Sequence, residues 1–116
     1  MNHNMRLIDI AYNSIINGTK RVEIRLLDEK RSKLRIGDTI TFTNYNDLNK
    51  NINVIITDLK IFNDINEVIN NYDISLLLNS DTSKEDLIKT FNKIYSTIEQ
   101  KKYKVITIEF KIKNDR

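Results

Sequence analysis

Apolar residues recur along this chain in two periods. In IDIAYNSIIN, residues 8–17, Ile8, Tyr12, Ile15 and Ile16 fall at helical spacing, with Asp9 placed to cap the start. Gly18 follows where a left-handed residue ends a helix. The period then drops to two. In KRVEIRL, Val22, Ile24 and Leu26 share one face, and Arg21, Glu23 and Arg25 share the other. LDEKRSKLRIGD reads as a short helical turn, which Asp28 can cap, followed by a tight turn at Gly37–Asp38. TITFTN alternates again, with Ile40 and Phe42 inward, and the polar run NYNDLNKN predicts a hairpin loop.

INVIITDLKIF predicts a longer strand over 52–62, and DINEVINNY a short helix. ISLLLN reads as helical. DTSKEDLIKTFNKIYSTIEQKK predicts one long helix, with capping-box spacing at Thr82/Glu85 or Ser83/Asp86 and an apolar stripe of Leu87, Ile88, Phe91, Ile94, Tyr95 and Ile98. KYKVITIEFKIK alternates Val105, Thr107, Glu109 and Lys111 against Ile106, Ile108, Phe110 and Ile112, a half-buried strand. Short connections between successive strands favour antiparallel pairing. The pattern predicts an α+β fold: a small barrel of about five mainly antiparallel strands, helices packed at its side, and the terminal strand closing the sheet.

Composition narrows the chemistry. The 116 residues suit one domain, taken as 1–116, and 40% apolar content allows a real core. With no cysteine, disulfides, thiolate metal sites and a cysteine nucleophile are excluded. His3 is the sole histidine and sits in the polar start MNHN, which reads as a solvated terminus, so neither a metal site nor a cofactor is expected. No secretory leader and no apolar run of membrane-spanning length is visible, which leaves a cytoplasmic protein with no membrane partner as the expectation. The net charge of +3 and pI of about 9.1 permit nucleic acid as a partner without requiring it. No phosphate-binding glycine loop, zincin motif or dinucleotide fingerprint is present.

The charges concentrate in GTKRVEIRLLDEKR, residues 18–31. Arg21, Glu23 and Arg25 could form a solvated strand face with mutual pairing. They could equally line a cleft in which Glu23 orients an arginine that grips phosphate or a base edge. Lys20, beside the Gly18 junction, is either a surface cation or, if desolvated, a base. Arg31 lies in a mixed-charge turn. Tyr45, Tyr95 and Tyr103 are candidate stacking residues, with core packing the other role for Tyr95.

GTKRVEIRLLDEKRSKLRIGDTITFTN resembles an ASCH domain of the PUA-like superfamily. Gly18-x-Lys20-x-x-Glu23-x-Arg25 matches the hallmark of that family, followed by Asp28-Glu29-Lys30-Arg31, Gly37-Asp38 and Phe42-Thr43-Asn44. The run is similar to the small single-domain bacterial members, and IYSTIEQKKYKVITIEF resembles their closing helix and strand. The resemblance implies a PUA-like barrel, a cleft walled by the hallmark residues, and binding of RNA or of a nucleotide or nucleoside. Lys20, Glu23, Arg25 and Arg31 would be the ligand-binding residues, with Tyr95 or Tyr103 stacking on a base. It also carries two alternatives: a hydrolase acting on a modified nucleoside or on RNA, with Lys20 and Glu23 as its acid–base pair, and a regulatory protein-interaction domain. One subgroup resembles acylcytidine amidohydrolases, in which a threonine nucleophile stands where this chain has Glu23. A carboxylate cannot take over that role, since it would have to form a mixed anhydride. Many relatives also carry glycine where this chain has Lys104.

Overall fold

A computed structural model describes residues 1–77 and 83–113. In chain order the elements are β1 (Asn2–Leu7), α1 (Asp9–Ile16), β2 (Val22–Leu26), a 3-10 turn at Arg31–Lys33, β3 (Thr39–Asn44), β4 (Asp47–Phe62), α2 (Ile65–Asn71), α3 (Ile74–Leu77), α4 (Lys84–Ile94), α5 (Thr97–Tyr103) and β5 (Val105–Ile112). The strands form one sheet in the order β1-β3-β4-β5-β2. The β1–β3 pair is parallel and the other three pairs are antiparallel. The result is an α+β fold built on a mixed, curled half-barrel.

The curl comes from β4. Its first half pairs with β3 and its second with β5, and the register shifts between Ile56 and Asp58. An extra residue at such a point bends and twists the strand. The two faces of the curled sheet then bury different cores. Met5, Leu7, Ile40, Phe42, Val54, Ile56, Ile106, Ile108 and Phe110 fill the inside with Tyr12 and Ile15 of α1. Val22, Ile24, Phe62 and Val105 lie on the other face, against Ile65, Val68, Ile69, Leu77 and Phe91 of the helices.

Several expectations from the sequence are corrected here. The terminal strand does not close the sheet: β5 sits between β4 and β2. It is also buried on both faces from Val105 to Ile108, because helices cover the side that its Thr107 and Glu109 suggested was wet. The polar start is a strand. His3, Met5 and Leu7 point inward, and the His3 side chain is nearly buried, its Nε2 2.8 Å from Asp38 Oδ2. Asp9 is the first residue of α1, not its cap; its carboxylate accepts from Asn44 Nδ2 at 2.8 Å. The expected hairpin loop shrinks to Tyr45–Asn46, with Asp47 already paired to Asn44.

The long helix breaks at Tyr95. Ser96 caps α5 in a full capping box with Glu99, while Ser83 caps α4 through Asp86 N–H. Thr82 and residues 78–79 lie outside the described residues. The break rotates the stripe, so Ile94 and Ile98 are exposed. In α1, Tyr12 and Ile15 are buried, while Ile16 and the N-cap Ile8 are exposed. Gly18 takes φ 81° just past the α1 C-cap Asn17, as a left-handed helix end requires. Among the described residues no helix is long and apolar enough to cross a membrane.

Candidate functional site

β1 and β2 are the two free edges of the sheet, and the curl brings them together without a ladder between them. The Arg25 guanidinium spans the seam: Nη2 donates to the Arg6 carbonyl at 2.9 Å. Its other side is held by Glu23, whose single oxygen Oε2 accepts from Nε at 3.0 Å and lies 2.9 Å from Nη2. Glu23 Oε1 accepts from Ile24 N–H at 3.1 Å and lies 3.3 Å from Lys20 Nζ. Lys20 Nζ donates in addition to the carbonyls of Val22, at 2.9 Å, and Leu77, at 3.1 Å.

This triad is not a solvated strand face. Lys20 and Glu23 are 6% and 7% exposed, because register places Glu23 opposite Ile108 on the inner face of the half-barrel. Burial alone would raise the Glu23 pKa. The Lys20 and Arg25 charges, the Arg25 hydrogen bonds and the Ile24 N–H outweigh it, holding the carboxyl below the ordinary carboxylate range. For Arg25 burial works to lower the pKa, and Glu23, with help from Tyr95, reverses this and raises it. Both shifts favour the charged forms of Glu23 and Arg25.

In front of Arg25 the seam opens into a groove of about 570 Å³, lined by Asn4, Met5, Arg6, Arg25, Lys30, Arg31, Thr43 and Leu48. Four of these residues are cationic and none is acidic. Asp28 accepts from Arg31 N–H at 3.0 Å and pairs with Arg31 Nη1 at 2.8 Å, while the N-cap of the 3-10 turn is Lys30 with no side-chain cap. Lys30 Nζ reaches the Asn4 carbonyl at 3.4 Å.

The groove thus gathers two of the residues singled out from the sequence, Arg25 and Arg31. Glu23 stands behind Arg25, and Lys20 faces a separate cavity of about 270 Å³ bordered by Ile15, Gly18 and Phe110. Tyr95 is at the α4 C-cap, its ring 5.0 Å from that of Phe91, and interacts with the Arg25 guanidinium. Tyr103 lies outside the groove, with Lys102 Nζ 5.0 Å over its ring. Arg6 and Lys30 were not singled out. Arg6 had only the short alternation of Met5, Arg6 and Leu7 as a signal, with the polar Asn2, His3 and Asn4 before it hiding the strand. Lys30 had none beyond its place in a charged turn. Among the described residues no group of three or more His, Asp or Glu side chains could hold a metal ion.

No family model and no curated protein matches the chain. Solved structures do. The hypothetical protein PH0355 is 27% identical, with 97% of this chain and 100% of that one covered and a TM-score of 0.85. Protein PF0455 from Pyrococcus furiosus is also 27% identical, with 97% of each chain covered and a TM-score of 0.76. The ASCH domain from Lactobacillus crispatus is 15% identical, with 96% of this chain and 79% of that one covered and a TM-score of 0.69. At that identity the likeness is one of fold, and the chain has the ASCH-domain fold.

Proposed function

We propose that the seam groove binds RNA or a nucleotide. The observation that carries this reading is the groove itself: four cationic side chains converge on one concavity with no carboxylate in its lining. Guanidinium groups suit phosphate oxygens, since a planar fork can donate to two of them at once. Glu23 serves as the orienting carboxylate for Arg25. It fixes the plane of the guanidinium while Arg6 O fixes its reach.

Binding is favoured over hydrolysis by the state of the inner triad. Both Glu23 oxygens are engaged, and Lys20 Nζ has three acceptors within 3.3 Å. A general base needs a lone pair within reach of its substrate, and a lysine whose Nζ is enclosed by three acceptors presents none. The hydroxyls nearest in sequence are also committed: Thr19 Oγ1 donates to Ser14 O, and Ser14 Oγ to Ile10 O.

The test is fluorescence anisotropy with a labelled short RNA at low salt, on the wild type and on Arg6→Gln. Arg6 is exposed and its side chain pairs with no described residue, so the variant leaves the fold alone. Binding that weakens by roughly tenfold per decade change in salt or more, and further in Arg6→Gln, supports the reading. No binding of RNA or of any nucleotide at low salt refutes it.

A further inference from the structure

The parity of β1 adds a feature that the side chains alone do not reveal. In a parallel pair, every second residue turns both its N–H and its C=O toward the partner strand. Thr39 N donates to Met1 O and Tyr45 N to Leu7 O, so the odd-numbered residues of β1 serve β3. Asn2, Asn4 and Arg6 therefore turn their backbone groups away from β3, toward the seam. Their carbonyls confirm the direction: Asn4 O accepts from Lys30 and Arg6 O from Arg25. The N–H groups of Asn4 and Arg6 point the same way, and the ladder leaves both without a partner there. They are two residues apart on the strand, about 6.6 Å. That is close to the step between successive phosphates of a stretched single strand.

From this geometry we infer that the groove takes the phosphodiester backbone of a single-stranded nucleic acid, and reads no base. This deepens the function proposed above and rests on it. The β1 edge supplies a row of N–H donors and the surrounding residues supply charge. Arg6 and Lys30 are exposed and can follow successive phosphates. Arg25 is fixed. Arg31 Nε is buried with no hydrogen-bond partner, and a phosphate that draws this guanidinium outward would relieve that donor. No aromatic ring lines the groove, so it offers no platform on which a base could stack.

The test compares an oligouridylate with a deoxyribose-phosphate oligomer of equal length that carries no bases. The base-free oligomer is expected to bind within about threefold of the oligouridylate, with log–log salt slopes of roughly −2 to −3 for both, as for three or four phosphate contacts on a single strand. Asn4→Pro removes one seam-facing N–H at an edge position that tolerates proline. It should weaken both oligomers about tenfold relative to Asn4→Ala, the loss of one charge-assisted hydrogen bond. Matching thermal unfolding of the two variants shows that the strand is intact. If the oligouridylate binds and the base-free oligomer does not, the backbone assignment falls while the broader function stands. If neither binds, both fall. An oligoglutamate of equal charge that binds as tightly as the base-free oligomer also overturns the assignment, in favour of an acidic protein partner.

Discussion

Lys104 joins α5 to β5 with φ 69° and ψ 177°. That combination is essentially reserved for glycine, because a β-carbon there crowds the backbone, and holding another residue in it costs about 1–3 kcal/mol. The surrounding hydrogen bonds impose it. Lys104 N donates to Gln100 O at 2.7 Å, closing the helix, and Lys104 O accepts from Leu27 N at 2.9 Å, tying the junction to the end of β2. Neither bond needs the side chain. The side chain itself makes one exposed contact, Nζ to Asn63 Oδ1 at 3.1 Å.

Lys104→Gly should therefore stabilise the protein. Relief of about 1–3 kcal/mol is offset by the extra freedom of glycine in the unfolded chain, about 0.4–1 kcal/mol, and by a few tenths for the Asn63 contact. The net gain is about 1 kcal/mol, or roughly 4 °C in Tm for a domain of this size. Lys104→Ala is the control, since it loses the same contact but keeps the β-carbon. Urea unfolding at unchanged m-value gives the comparison. If Lys104→Gly is no more stable than Lys104→Ala, the backbone at this junction is not strained and the reasoning is wrong.

Glu23→Gln removes the one carboxylate that faces both Lys20 and Arg25 and should cost about 3 kcal/mol in urea unfolding. Because folding lowers the Glu23 pKa, its contribution is complete above the unfolded carboxylate pKa and is lost as pH falls through the folded one. The wild type should lose stability below the ordinary carboxylate range, and Glu23→Gln should show a flatter acid limb; parallel limbs would mean that Glu23 does not drive the loss. Ser96→Ala removes the α5 capping box and should cost about 1 kcal/mol, with faster amide exchange in Thr97–Gln100 as the local sign. Asp38 accepts from His3, from the chain's N-terminal ammonium and from Arg35 N–H, which together hold its pKa down. Asp38→Asn should therefore raise amide exchange selectively in the first half of β1, and unchanged exchange there would show that the strand does not depend on this anchor.

The sequence exposed those elements whose periodicity matches their burial. β2, β3 and the start of α2 alternate or cap in step with what they pack against. β1 was hidden because two of its three inward residues are a methionine and a histidine, and the histidine is satisfied by Asp38, a residue 35 positions away. The helix break was hidden for the opposite reason. The apolar spacing runs on through Tyr95 to Ile98 as if unbroken, while the Ser96–Glu99 spacing that marks a new N-terminus is a local signal the stripe overrides. At the site, the alternation in KRVEIRL correctly separates Glu23 and Arg25 from Val22 and Ile24. It could not say which face is wet, because helices cover one face and the curl encloses the other.

That enclosure gives the charged strand its meaning. Lys20, Glu23 and Arg25 sum to one formal positive charge, and such an enclosed cluster of charge-bearing side chains is a poor way to gain stability compared with apolar side chains of the same size. What they gain is position. β1 and β2 have no ladder between them, and Arg25, with its plane set by Glu23, is the group that ties β2 to the Arg6 carbonyl. The same constraint leaves the surplus charge at the mouth of the seam, where Arg6, Lys30 and Arg31 add to it. The carboxylate at position 23 is thus the fixed counter-charge that aims Arg25 across the seam.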